Sequence, residues 1–443
     1  MKTMLPLLAL LLLVALNLPA QTPHKLIAQP VNSGFEPAHD SYNGVSCASD
    51  GRIYYVLCTE RPEVGAQMYS YDPATAKVKH LGDLTAACGE KGSNAVCQGK
   101  SHVNFIEADG KLYFATHIGY YTPGAGGRDV MGVPPAGMKP YPGGHFLSYD
   151  LRTGKFENLA VNPNRDGIIS MTMDVRRGRL YGLTWPTGHF LRYDLGRREL
   201  RDLGPIPGQS PDAPVYRAIC RAPIVYPDDG SVFFTTVDGL IIRYDYQHDA
   251  LSVVEGEDMK KDYFGLWDPD KPGHMGYNWR QVAWYPPERT IYGVHGNSGY
   301  LFRFDPRALR IEVLDRITSM PSKRSGMYDQ FSFGYLGFTL APDGRTIYYL
   351  TGGPIYMGGK RVEGKKETAK GEAKGLENLH VITYDIPARK YTDHGPVFYE
   401  NGRPPTYVNT CAVDKQGAIY AVARLTEKGG TRGDLIRIPP VLP

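Results

Sequence analysis

His102 stands in "GKSHVNF" and His117 in "KLYFATH", fifteen positions apart. Between them run an apolar stretch, an Ala-Asp-Gly turn and a second apolar stretch, a hairpin pattern that returns its two ends to one place. A pair of imidazoles is suited to taking and giving protons near neutral pH. Further along, "PVYRAIC" sets Tyr216 beside Arg217, and "YNWRQ" sets Asn278 two positions before Arg280. A guanidinium holds a carboxylate through paired, charge-assisted hydrogen bonds. Imidazole, phenol and guanidinium together fit removal of a proton next to a carboxylate, with the developing negative charge held by arginine or asparagine.

Other reaction classes lack their residues. The chain has no Gly-x-Ser-x-Gly elbow and no Walker or dinucleotide glycine pattern. The candidate residues include no pair of carboxylates, which disfavours ordinary glycoside hydrolysis and calcium-dependent lactone chemistry. A formal charge of +4 over 443 residues gives no case for nucleic acid. No Cys-x-x-Cys occurs among the six cysteines, which disfavours a structural zinc site. Cys88 and Cys97 flank one loop and are expected to form a disulfide.

Residues 1–20 read as an export signal: Lys2, an apolar run over 4–16, then "LNLPA" ending on a small residue. The run is shorter than the roughly 20 residues that span a bilayer, and no later segment is apolar enough to do so. The expectation is a soluble bacterial protein, secreted or periplasmic and monomeric, with residues 21–443 as one domain.

The elements that must hold these residues repeat along the chain. Seven segments, among them "VSCASDGRIYYVLC", "MTMDVRRGRLYGLTW" and "GFTLAPDGRTIYYLT", read as strand, polar turn and strand. Six are followed by a second plan, as in "MYSYDPATAKVKHLGDL" and "FLRYDLGRRELRDLG", where a strand ends on aromatic-Asp before a short turn. The carboxylates of Asp72, Asp150, Asp194, Asp245, Asp305 and Asp385 are expected to hold those turns. Each pair of plans makes a four-stranded sheet, and a radial array of seven is an all-β, seven-bladed β-propeller. The C-terminal end supplies three strands of the last blade, and "HKLIAQP" over 24–30 is expected to add the outer one and close the ring.

In such a ring the start of each first strand and the end of each second strand open on one face. His102 and His117 are therefore expected at one mouth. The same placement applies to Asn43, Ser170, Tyr216, Arg217, Asn278, Arg280, Tyr335 and Asn409 at first-strand starts. It also applies to Cys58, Trp185, Thr236, His295 and Thr351 at second-strand ends. Long insertions over 118–144, 254–277, 317–334 and 352–379 fall on that face and mark a functional rim. Tyr120, Tyr121, Trp185 and Trp279 offer rings for sugar stacking. His145 and His189 recur just before "FLSYD" and "FLRYD", which suits scaffold residues.

The seven-bladed plan, the export signal and this mouth resemble the propeller polysaccharide lyases, ulvan lyases in particular. "SHVNF" and "FATH" carry the histidine pair, and "PVYRAIC" the tyrosine and arginine. The resemblance implies β-elimination on an anionic, uronic acid-containing glycan, with His102, His117, Tyr216 and Arg217 around the uronate. His102 or Tyr216 would be the base, His117 its partner, and Arg217 with Arg280 the carboxylate clamp. Asn278, Tyr121, Trp185, Tyr335, Asn409 and His295 would line the substrate path. Manganese-holding oligogalacturonide lyases use a close histidine cluster, and this chain has no His-x-His. Two further readings stand beside this one: a non-catalytic ligand- or protein-binding propeller, and an enzyme holding a divalent metal on His102, His117 and His295.

Overall fold

The computed structural model describes residues 26–39, 44–123, 129–207, 219–261, 277–295, 298–325, 337–354, 356–357, 360–361, 377–405, 408–427 and 430–442. The export segment and the positions of Asn43, Tyr216, Arg217 and Tyr335 lie outside them, as does most of the lysine-rich stretch after Arg361.

Aromatic and β-branched residues alternate with turn residues along the whole chain, and the strands they form pair as seven four-stranded antiparallel units in a ring. The first blade shows the plan: Val45–Cys47, Ile53–Leu57, Gln67–Asp72 and Lys77–Asp83, paired in chain order. The second strand is buried along its whole length, whereas every residue of the fourth is exposed or half-buried. First strands of successive blades pack side by side, so apolar side chains of neighbouring sheets interdigitate. Between blades three and four, Phe190 stacks on Phe234 with ring centroids 5.4 Å apart. Two short helices, Leu84–Ala87 and Met320–Ser325, are the helical elements among the described residues.

All six aspartate turns form. The main-chain N–H two positions on donates to Asp72, Asp150, Asp245 and Asp305, and that three positions on to Asp194 and Asp385. Four positions after each aspartate the chain enters the left-handed region, at Ala76, Gly154, Arg198, Asp249, Leu309 and Arg389. One of these six is glycine, so the aspartate hydrogen bonds and strand pairing enforce the turn at a cost to the other five.

Closure is divided more finely than the sequence suggests. Gln29–Pro30 pairs antiparallel with the last strand, Gly430–Ile438, and supplies the outer strand of blade seven. Leu26–Ile27 pairs parallel with Lys390–Phe398 and makes blade six five-stranded. Ser33 then reaches the buried Asp434 and donates to it at 2.5 Å, while its hydroxyl also meets Tyr55 of blade one at 2.7 Å. One short segment thus ties three blades together.

The expected Cys88–Cys97 disulfide is not formed, and none of the six cysteines, all among the described residues, is in a disulfide. Cys88 caps the first helix and turns its sulfur into the core between blades one and two. Cys97 lies across a groove whose lining includes Glu63, Asp83 and Glu90. Burial pushes the Cys88 thiol well up, with the charge of Glu90 adding to it.

Candidate functional site

The candidate site is assembled where the chain crosses itself. Lys100 and His117 exchange both main-chain hydrogen bonds, at 2.9 and 2.8 Å. Two close approaches make this crossing possible. A Cβ on Gly119 would lie 2.0 Å from the Thr59 carbonyl oxygen, and one on Gly99 would lie 2.7 Å from Gly119 Cα. Glycine is required at both positions for that reason. The first strand of blade two begins only at Ile106, later than expected. Phe105 instead bonds through its N–H to Ser46 of blade one at 3.0 Å, which leaves His102 in an irregular segment ahead of the strand.

His102 and His117 meet there, with ring centroids 4.6 Å apart at 61°. His117 Nδ1 is 2.7 Å from the Ile118 carbonyl oxygen, an acceptor only, so Nδ1 carries the proton and donates. Nε2 then carries the lone pair; it is buried and has no hydrogen-bond partner among the described residues. Tyr121 donates to the same Ile118 carbonyl at 3.1 Å. Trp185, at the end of the second strand of blade three, lies 5.7 Å from the His117 ring and 5.7 Å from the Tyr121 ring. Gly167 of blade three leaves the space the imidazole fills: a Cβ there would be 2.7 Å from His117 Cδ2.

The surroundings are cationic. Lys100 is fully buried, with its ammonium 3.1 Å from Glu60 and 4.7 Å from the Tyr121 ring centre. Arg221 of blade four is partly exposed, yet its Nε and Nη1 are buried and make no hydrogen bond among the described residues. Burial brings His117 down to about 3 against the Ile118 hydrogen bond, which acts to raise it, and the charges of Arg221 and Lys100 add to the lowering. Burial likewise pushes His102 well down, aided by His117, Arg221, Lys100 and Arg280. Both imidazoles are therefore neutral at pH 7.

Of the sequence candidates, His102, His117, Tyr121 and Trp185 come together, and Arg280 is close enough for its charge to act on His102. Asn278 and Trp279 are scaffold. Asn278 accepts from Thr235 at 3.2 Å, while Trp279 is buried, stacks on Phe302 and donates to the Ala222 carbonyl. The indole therefore offers no sugar platform. Asn409 is buried three positions ahead of the inner strand of blade seven, Ala412–Val413. His295 is buried and bonded to Ser298 at 2.9 Å. No three His, Cys, Asp or Glu side chains among the described residues gather as a metal set, so His102, His117 and His295 do not form one there.

Lys100 and Arg221 were not legible as site residues. Lys100 stands two positions before His102 without a motif of its own, and Arg221 directly follows "PVYRAIC" in the same way. His145 and His189 are scaffold, as expected. His145 pairs with Asn158 at 2.9 Å and Glu90 at 2.7 Å, and His189 with Asp202 at 2.8 Å. His380 with Asp393 at 3.0 Å, and Gln67 with His80 at 2.8 Å, repeat the same third-to-fourth-strand pair thirteen positions apart.

The ring of seven antiparallel sheets defines the chain as a seven-bladed β-propeller. No family model matches the sequence, and no curated protein matches it. Solved structures share the fold widely, 1100 chains in all. A chain of the mitotic checkpoint complex aligns at TM-score 0.52 and 10 % identity, over 99 % of this chain and 100 % of its own. The extracellular domain of a protein assigned as a hybrid two component system from B. thetaiotaomicron aligns at TM-score 0.49 and 12 % identity; the match takes in 93 % of this chain and 39 % of that one. A protein assigned as a 6-phosphogluconolactonase from Bacteroides uniformis aligns at TM-score 0.47 and 10 % identity, over 85 % and 93 %. At such identity these likenesses speak to fold alone, and function rests on the site.

Proposed function

We propose that this chain is a polysaccharide lyase-like enzyme that cleaves an anionic, uronic acid-containing glycan by β-elimination at the propeller mouth. The observation that carries the reading is His117: its tautomer is fixed by Ile118, and its bare Nε2 lies buried among Lys100, Arg221 and His102. A neutral acceptor surrounded by cations suits a substrate that brings its own negative charge. The uronate carboxylate is taken by Arg221, with Arg280 beside it, in place of the Arg217–Arg280 clamp expected from the sequence. His117 Nε2 then takes the proton from the carbon next to the carboxylate. That electron pair forms the ring double bond as the bond to the leaving sugar oxygen breaks. Tyr121, partly exposed and on the same carbonyl as His117, gives its hydroxyl proton to that oxygen, and the proton held by His117 then passes through water to the tyrosinate, which restores both groups. His102 packs edge-on to His117 and holds it in place.

The test is incubation of the purified full chain with a panel of uronate polymers, followed by ultraviolet absorbance of the unsaturated product. The reading expects absorbance with at least one polymer and its loss in His117→Ala. A folded protein that binds a polymer without producing absorbance points instead to the non-catalytic propeller.

A further inference from the structure

Lys100 plays no part in the steps above, yet it is a lysine with 1 % of its side chain exposed. Burying an ammonium is unfavourable unless it is paired, and lysine is among the residues least often found fully buried. Its carboxylate partner, Glu60, is 36 % exposed and also lies 3.6 Å from His39 Nδ1. The glutamate thus tethers the ammonium from the solvent side. On its other side the ammonium stands 4.7 Å from the centre of the Tyr121 ring, within cation–π range. The Lys100 main chain is locked to His117 by the paired hydrogen bonds of the crossing, so its side chain starts from a fixed point relative to the imidazole. Tyr121 in turn packs edge-on to Trp185 and donates to the carbonyl that sets the His117 tautomer.

We propose that Lys100 is a positioning residue of the mouth: held by Glu60, it clamps the Tyr121 ring so that the tyrosine hydroxyl stays on the Ile118 carbonyl beside His117. The pairing could have been achieved nearer the surface at lower desolvation cost, and a buried ion pair adds little net stability. What the buried position adds is a charge placed under one aromatic face, at a fixed distance from one imidazole. The charged and titratable groups acting on the histidine pair are Lys100, Arg221 and Arg280, with Glu60 behind Lys100. Lys100 is the one whose backbone belongs to the crossing itself.

The proposal rests on the uronate reading only in its turnover arm; the structural arm stands without it. In the full chain, nuclear Overhauser contacts are sought between the Lys100 ε-methylene and the Tyr121 ring protons, the latter assigned with Tyr121→Phe. Contacts are expected, and their absence overturns the clamp whatever the variants do. Lys100→Met should move the Tyr121 ring signals toward solvent-averaged positions and broaden the His117 Nδ1–H resonance, whereas Lys100→Arg should restore both. Glu60, being partly exposed, is not left as a buried lone charge in Lys100→Met. Unchanged Tyr121 and His117 signals in Lys100→Met also overturn the proposal. On any uronate polymer that is turned over, Lys100→Met should lower kcat at least tenfold with KM changed less than threefold, and Lys100→Arg should recover most of it. A rise in KM alone would make Lys100 a binding charge instead and overturn the positioning role. If no polymer is turned over while the spectra behave as stated, the uronate reading fails and the clamp stands.

Discussion

The rings of His102 and His117 stand 4.6 Å apart at 61°, held there by the crossing in which Lys100 and His117 exchange both main-chain hydrogen bonds. Neither histidine sits in a regular strand: one is four positions ahead of the first strand of blade two, the other two positions beyond its second. The pair is therefore a property of the crossing, and its features can be tested separately.

The first test concerns acid. Burial holds His117 at about 3 and His102 well below the ordinary 6.5 of an exposed imidazole. Between the folded and unfolded values the unfolded chain binds more protons. The stability these histidines contribute is thus complete above about pH 6.5 and is lost as the pH falls toward 3. His117 contributes about 1 kcal/mol per pH unit in that window. Urea unfolding at pH 7, 6 and 5 should show the loss. Asp72, Asp150 and Asp194, whose carboxyls are held low, add theirs only below about pH 4. His117→Gln should flatten the slope, and an unchanged slope would contradict a neutral buried imidazole.

Gly167 tests the packing of the imidazole. Its Cβ position is 2.7 Å from His117 Cδ2, and its backbone is outside the left-handed region, so alanine is conformationally acceptable but sterically excluded. Gly167→Ala should destabilise by about 1–3 kcal/mol and move the ring. Turnover should fall more than tenfold while circular dichroism stays that of a β protein. Full activity in the variant would remove His117 from the chemistry.

Arg221 tests recognition. Arg221→Met should raise KM for a uronate polymer, or weaken its binding, by about tenfold, the equivalent of roughly 1.4 kcal/mol. The effect should shrink at high salt because part of the attraction is screened. An equal loss of affinity for a neutral glycan would argue against carboxylate recognition.

The turns offer a test of the scaffold. Ala76 is exposed and has φ +53°, a conformation glycine adopts without strain. Ala76→Gly should raise stability by up to about 1 kcal/mol, and Asp194→Ala should lower it by about 1 kcal/mol through loss of the turn hydrogen bonds. Thermal melts decide both, and a destabilised Ala76→Gly would contradict the turn geometry.

Much of this protein was written in local pattern. The six aspartates announced their turns because an aspartate bonds backbone a few residues away and needs nothing distant to do so. The blade count followed from the same local repeat, and so did the scaffold role of His145 and His189, which recur one blade apart at the same strand position. The joining of His102 to His117 was legible for a related reason: one hairpin links them.

Other features depend on chains meeting across blades. Arg221 comes from blade four, and no pattern around it signals that its guanidinium turns toward two histidines of blade two. Trp279 looked like a rim aromatic until its indole found Ala222 and Phe302. Cys88 and Cys97 sit close in sequence, but one side chain enters the core and the other a groove.

The sequence by itself determined the seven-fold β repeat, its turns and the hairpin that links His102 to His117, because strand alternation and turn chemistry act over a few residues. The tertiary structure alone decided which cations surround His117, which of its nitrogens keeps a lone pair, and how deeply Lys100 is buried. Those outcomes are set by burial and by charges brought together from distant parts of the ring, and both exist only once the blades have closed.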